Sequence, residues 1–206
     1  MNREEAMKIQ VNGISGLCDI EWLNEEKPDY AGFVFYKNHN RITLEQAVYL
    51  RRNLDPAIHT VGIFTFASFW LISELLESKV IDAAHIEGNI SFDEILQLRR
   101  MTDKPLIKTV MLDKLEDIAE AQKYPVDYIM YDCRNNSRLN PVYLQMLLDY
   151  GPQERKFFIT DRLCEGFSMD VVRKVEPHGL TLDTFTESKG RRDVEKVRDM
   201  IHKIRK

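Results

Sequence analysis

Cysteine is scarce: the 206 residues hold three, Cys18, Cys133 and Cys164, too few and too widely spaced for a disulfide framework or a zinc site of CxxC spacing. A reduced, cytoplasmic protein is the expectation. Glycine is thin at nine residues, and no GxGxxG turn follows the first strand-like segment. No apolar run approaches the roughly 20 residues that cross a bilayer, and the start "MNREEAMK" lacks the apolar segment of a secretion signal. No membrane association is expected. Nor is charge of one sign in excess: 29 Lys and Arg against 33 Asp and Glu give a formal net charge of -4, which argues against nucleic acid as the partner. No metal-ligand constellation stands out, and no metal or cofactor is expected.

What is present is an alternation. Strand-like runs rich in β-branched and aromatic residues occur at "MKIQVN" (7–12), "YAGFVFY" (30–36), "HTVGIF" (59–64), "IDAAHI" (81–86), "PLIKTVM" (105–111), "VDYIMYD" (126–132), "KFFIT" (156–160) and "GLTLDT" (179–184). Segments of helical period separate them. In "TLEQAVYLRRNL" Thr43 and Gln46 have capping-box spacing, and in "SFDEILQLRRMT" Ser91 and Glu94 repeat it. A last helix is predicted over 191–205, with Val194, Val197, Ile201 and Ile204 on one apolar face. Eight strand–helix units imply parallel strands joined by right-handed crossovers, hence a single α/β domain, a (β/α)8 TIM barrel, over 1–206 with a flexible tail at 1–6. A doubly wound open sheet is the competing topology. Phe66, Phe69 and Trp70 open the third helix, where either an interface or the helix–barrel core would account for them.

In such a barrel, function sits at the C-terminal strand ends. Those ends carry Asn12, the "KNHNR" loop to Arg41, Thr65, "HIEGN" from His85, Lys108 to Met111, Asp132 with "CRNNSR", "TDR" at 160–162, and "DTFTE" from Asp183.

At these ends the chain resembles the phosphoribosylanthranilate isomerases, barrel enzymes of tryptophan synthesis. "DYAGFVFYKNHNRIT" (29–43) carries the likeness most firmly, with "HTVGIF", "PLIKTV", "VDYIMYD" and "SKGRRDVEKVRDMIHKIR" in the expected order. The resemblance implies an Amadori rearrangement of N-(5'-phosphoribosyl)anthranilate, with no cofactor. A carboxylic acid closing the sixth strand opens the ribose ring and a cysteine closing the first takes the C2' proton. Asp132 matches the acid. To act so it needs an apolar or acidic surround that raises its pKa. Asn12 stands where the family has cysteine, and an amide cannot serve as general base. Of the cysteines, Cys18 falls in the following helix, Cys133 on the opposite strand face from Asp132, and Cys164 reads as a small buried thiol. His85 is a substitute base by its intrinsic pKa, or a structural histidine.

The resemblance also implies ligand contacts. Arg41 matches an arginine directed at the anthranilate carboxylate, and Lys108 a lysine of the fifth strand. The family's glycine-rich phosphate turns are replaced here by "CRNNSRLN", "TDR" and "DTFTE", with Glu187 retained. Arg134, Arg138 and Arg162 are the cations that could hold an anion instead, while Asp161 with Arg162 also reads as a solvated surface pair. Three functions follow as expectations: an isomerase with unconventional groups, a barrel that has lost isomerisation and binds a small anionic metabolite (phosphoribosyl or aromatic carboxylate) or a protein partner, or another reaction on a related anion. Loss of two elements together, base and phosphate turns, favours weak or absent isomerase activity.

Overall fold

Eight short strands, β1 (Lys8–Val11), β2 (Tyr30–Val34), β3 (His59–Phe64), β4 (Ala83–Ile86), β5 (Leu106–Met111), β6 (Tyr128–Asp132), β7 (Phe157–Thr160) and β8 (Gly179–Leu182), pair in chain order and in parallel. β8 closes on β1 from Lys8↔Gly179 to Val11↔Leu182. This is the (β/α)8 barrel expected from the alternation. The structure is a computed structural model that describes residues 6–36, 40–65, 67–133, 140–151, 155–164, 166–183, 187–188 and 191–206, with the backbone alone at 140, 187, 188, 191 and 192. The expected tail 1–6, apart from Ala6, lies outside the described residues, as do Phe66, Arg134 and Arg138.

Strand alternation sorts the side chains into two sets. Ile9, Val11, Phe33, Phe64, Ile86, Ile129 and Leu180 face outward into the large core they share with helix residues such as Leu23, Leu76, Leu98 and Ile201. Val34, Val61, Ile63, Ala83, Ile107, Met130 and Phe158 form a smaller core within the barrel. Each fully buried aliphatic side chain contributes about 1.5–3 kcal/mol, so the outer core carries most of the stabilisation.

The helices are α1 (Leu17–Glu26), α2 (Leu44–Asn53), α3 (Phe69–Glu77), α4 (Phe92–Met101), α5 (Glu116–Ala121), α6 (Asn140–Tyr150), α7 (Met169–Lys174) and α8 (Val194–Arg205). Both predicted capping boxes are made. Gln46 N donates to Thr43 Oγ1 at 3.2 Å while Thr43 N donates to Gln46 Oε1 at 2.8 Å. Glu94 N and Ser91 N exchange the equivalent bonds at 3.3 and 2.9 Å. α8 buries Val197, Ile201 and Ile204 as its spacing requires. It begins at Val194 and not at Arg191, because Asp193 caps it and Arg191–Arg192 (β10) pair antiparallel with Glu187–Ser188 (β9). Phe69 packs on the outer core, whereas Trp70 is 78% exposed.

The two ends of the barrel differ. At the N-terminal end Phe158 contacts Tyr30, Tyr128 and His178 with ring centroids 5.9, 5.6 and 5.3 Å away, all edge-on. These rings close the bottom. The C-terminal end is polar.

Candidate functional site

Asn12 follows β1 and faces inward, since Ile9 and Val11 take the outward positions. Gly13, at φ 75°, turns the chain immediately afterwards, a conformation glycine adopts without strain. The Asn12 side chain is 3% exposed and its Oδ1 accepts from Gln10 Nε2 at 2.8 Å. It fills the space over Gly32, where a Cβ would come within 2.3 Å of Asn12 Oδ1. Asn12 is therefore a built part of the barrel floor beneath the mouth.

Asp132 ends β6 on the inward face and accepts from Thr160 Oγ1 at 2.7 Å, Cys133 N at 2.8 Å and Arg162 Nη1 at 3.5 Å. Arg162 lies in a short 3-10 helix (Asp161–Cys164) and also donates to Cys133 O at 3.2 Å. The expected surface pair of Asp161 with Arg162 is corrected here. Asp161 is 1% exposed and accepts from Asp183 N at 3.0 Å, tying the ends of β7 and β8 together, while Arg162 turns to Asp132. Burial of Asp161 is explained by that backbone donor, which replaces water.

Across the mouth stands Glu87, just beyond β4. It shares its strand face with His85, Tyr36 donates to it, and Asp183, Asp132 and Arg162 all act on it. Burial pushes its carboxyl up to about 7; Asp183 and Asp132 add to the rise, and the Tyr36 hydroxyl and Arg162 oppose it. Glu87 was not among the residues that sequence alone singled out. The signal was there in "HIEG", because residues 85 and 87 share a face and the later one lies nearer the mouth.

His85 lies one step deeper, 1% exposed, with Nε2 2.6 Å from Thr109 Oγ1. Burial, aided by the Lys108 ammonium, lowers it to about 3, so the imidazole stays neutral at physiological pH and is a feeble base. Lys108 does not face the mouth. Ile107 and Thr109 point inward, so Lys108 points toward the helices, where its Nζ donates to Gly88 O at 3.0 Å and Thr109 O at 2.6 Å and lies 5.9 Å from the Tyr124 ring centroid. Burial lowers it to about 8 against the opposing pull of Glu87. As a ligand contact it is displaced; as a clamp on the loop after β4 it is well placed.

Arg41 is exposed, with its backbone bridging Val34. None of the thiols faces the mouth: Cys18 is exposed on α1, Cys133 lies in the outer core, and buried Cys164, its thiol pushed up by burial, donates to Thr160 O at 3.6 Å. Among the described residues no group of His, Cys, Asp and Glu could hold a metal ion, and no helix is long and apolar enough to cross a membrane.

The chain aligns at 29% identity over 209 residues, 95% of its length and 96% of the relative's, with the N-(5'-phosphoribosyl)anthranilate isomerase of Lachnoclostridium phytofermentans. It is a distant relative of the phosphoribosylanthranilate isomerases. No protein-family model matches it. The barrel superposes on the phosphoribosyl anthranilate isomerase of Thermus thermophilus with a TM-score of 0.75 at 21% identity, covering 97% of this chain and 98% of the other. A phosphoribosyl anthranilate isomerase in complex with reduced 1-(o-carboxyphenylamino)-1-deoxyribulose 5-phosphate gives 0.76 at 20% identity, with the same coverage. The likeness to the isomerases thus spans the whole length of the barrel.

Proposed function

We propose that this is a phosphoribosylanthranilate isomerase-like barrel in which the Amadori rearrangement of N-(5'-phosphoribosyl)anthranilate is weak or lost, and whose mouth receives a small anionic metabolite. One observation carries the reading: the side chain closing β1 is an amide bonded to Gln10, and none of the three thiols faces the mouth. Asp132 remains where a general acid would protonate a ribose ring oxygen, with Arg162 beside it as an anion contact. The step that fails is removal of a proton from carbon, which needs a base of suitable affinity within reach. Glu87 does not restore it in place, since β4 stands three strands from β1 and would approach a substrate from another side. Losing one proton-transfer group costs about 10²- to 10⁴-fold in rate.

The test follows loss of fluorescence of freshly made phosphoribosylanthranilate, with Asp132→Asn as control. We expect turnover at or near the background. Brisk turnover that disappears in the control overturns the reading. A second reading, a barrel that serves a protein partner, is favoured by Trp70, whose ring stands in solvent at the start of α3. Thermal shifts with anthranilate and sulfate support the metabolite reading; their absence leaves the partner.

A further inference from the structure

The mouth holds an imbalance that the proposed ligand must meet. Among the described residues Glu87, Asp132 and Asp183 converge there, and Arg162 is the cation set among them. An oxyanion entering this space with all three carboxylates ionised meets repulsion at short range in a poorly screened site. The three are not equivalent. Asp132 has its oxygens occupied by the Thr160 hydroxyl, the Cys133 amide and Arg162. Glu87 has the Tyr36 hydroxyl, and carboxylates, Arg162 and Lys108 act on it from around. Ala83 belongs to the core within the barrel, so Glu87, on the same face of the chain four residues on, projects toward the axis, with β8 standing opposite β4.

We propose that Glu87 sets the ligand specificity of this mouth: in its neutral form it donates its O–H to an anionic oxygen of the ligand, and in its ionised form it shuts that ligand out. The proposal rests on the reading that the mouth takes a small oxyanion, either carboxylate or sulfate-like. Its neutral form leaves one guanidinium facing two carboxylates, and it adds a donor beside Arg162. Burial supports the neutral form near physiological pH. The groups that bear on Glu87 from the surrounding elements are Tyr36 after β2, Lys108 of β5 behind the strand, Asp132 of β6, Arg162 after β7 and Asp183 after β8. Lys108 acts as a positioning residue by holding Gly88 O next to Glu87.

Calorimetric titration with anthranilate and with sulfate, both of constant charge from pH 6 to 8, decides the matter. For the wild type we expect affinity to fall about tenfold across that range, following ionisation of one group. Glu87→Gln, nearly isosteric and a permanent donor, should bind equally at both pH values and as tightly as the wild type at pH 6. Affinity independent of pH in the wild type, or an equal fall in Glu87→Gln, overturns the role of Glu87 and leaves the oxyanion site standing. No binding in either protein at any pH overturns the site itself. Should Glu87→Gln fold poorly, carboxyl-carbon NMR of the wild type replaces it: the Glu87 midpoint should rise when anthranilate is added, and an unmoved or lowered midpoint sinks the proposal.

Discussion

The two ends of the barrel bury titratable groups in similar measure and draw opposite consequences from it. At the bottom, burial raises Tyr30 to about 12, with Tyr128 and Asp29 adding to the rise, and lowers His178 to about 4, with Lys156 and Lys8 adding to the fall. Both groups are held neutral far from physiological pH, so the ring cluster around Phe158 behaves as an apolar plug. At the mouth the same desolvation acts on a carboxyl whose ordinary value is low, and it lands Glu87 at about 7. Burial thus silences one end and makes the other responsive, and the difference lies in where each group's ordinary affinity for protons begins.

The largest expected effect comes from breaking the plug. Phe158→Ala removes the ring that Tyr30, Tyr128 and His178 pack against, and it should lower stability by about 4 kcal/mol in urea unfolding, the usual cost of deleting a buried aromatic. A loss below about 1 kcal/mol would mean that the bottom is not a sealed core. Next comes the mouth. The folded protein holds the Glu87 proton from the ordinary carboxylate range up to about pH 7, whereas the unfolded chain releases it near 4.5, so stability falls as pH rises through that window. Glu87→Gln should therefore be more stable than the wild type at pH 8 by about 3 kcal/mol and equal to it near pH 4. A difference that does not change with pH would remove the contrast between the two ends.

The architecture was legible because it rests on repeated, redundant signals. The alternation at residues 9 and 11 against 10 and 12, the caps at Thr43 and Ser91, and the spacing of Val197, Ile201 and Ile204 each reflect local physics that sequence displays directly. The mouth was legible only in part. Asn12 and Asp132 could be placed by their strand ends, but the choice between His85 and Glu87 could not, because both residues share a face and depth along the strand decides which is buried to silence. The direction of Lys108 was hidden for a related reason: parity turns it outward, which needed the neighbouring Ile107 to fix. Asp161 reads as a surface charge in sequence, since the backbone donor that permits its burial comes from Asp183, 22 residues on.

A smaller effect tests the floor between the ends. Gly32→Ala would put a methyl 2.3 Å from Asn12 Oδ1 and 2.9 Å from Ile63 Cδ1, forcing local repacking. We expect a loss of about 1.5 kcal/mol in thermal or urea unfolding, within the range for overpacked sites. A neutral result would mean that Asn12 turns away from β2 and is no part of the floor.

The smallest expected effect on stability is the most informative about the mouth. Arg162 and Asp132 are partly exposed and meet at 3.5 Å, so Arg162→Ala should cost less than about 1 kcal/mol. Its consequence for Glu87 is of another kind. Arg162 opposes the rise that burial, Asp183 and Asp132 impose on that carboxyl, and removing it leaves those causes unopposed except by Tyr36. The Glu87 midpoint, followed by carboxyl-carbon NMR, should therefore move upward in Arg162→Ala while the melting temperature scarcely changes. If the midpoint stays put, Arg162 does not share the mouth with Glu87, and the electrostatic unity of the polar end, on which its contrast with the bottom depends, is lost.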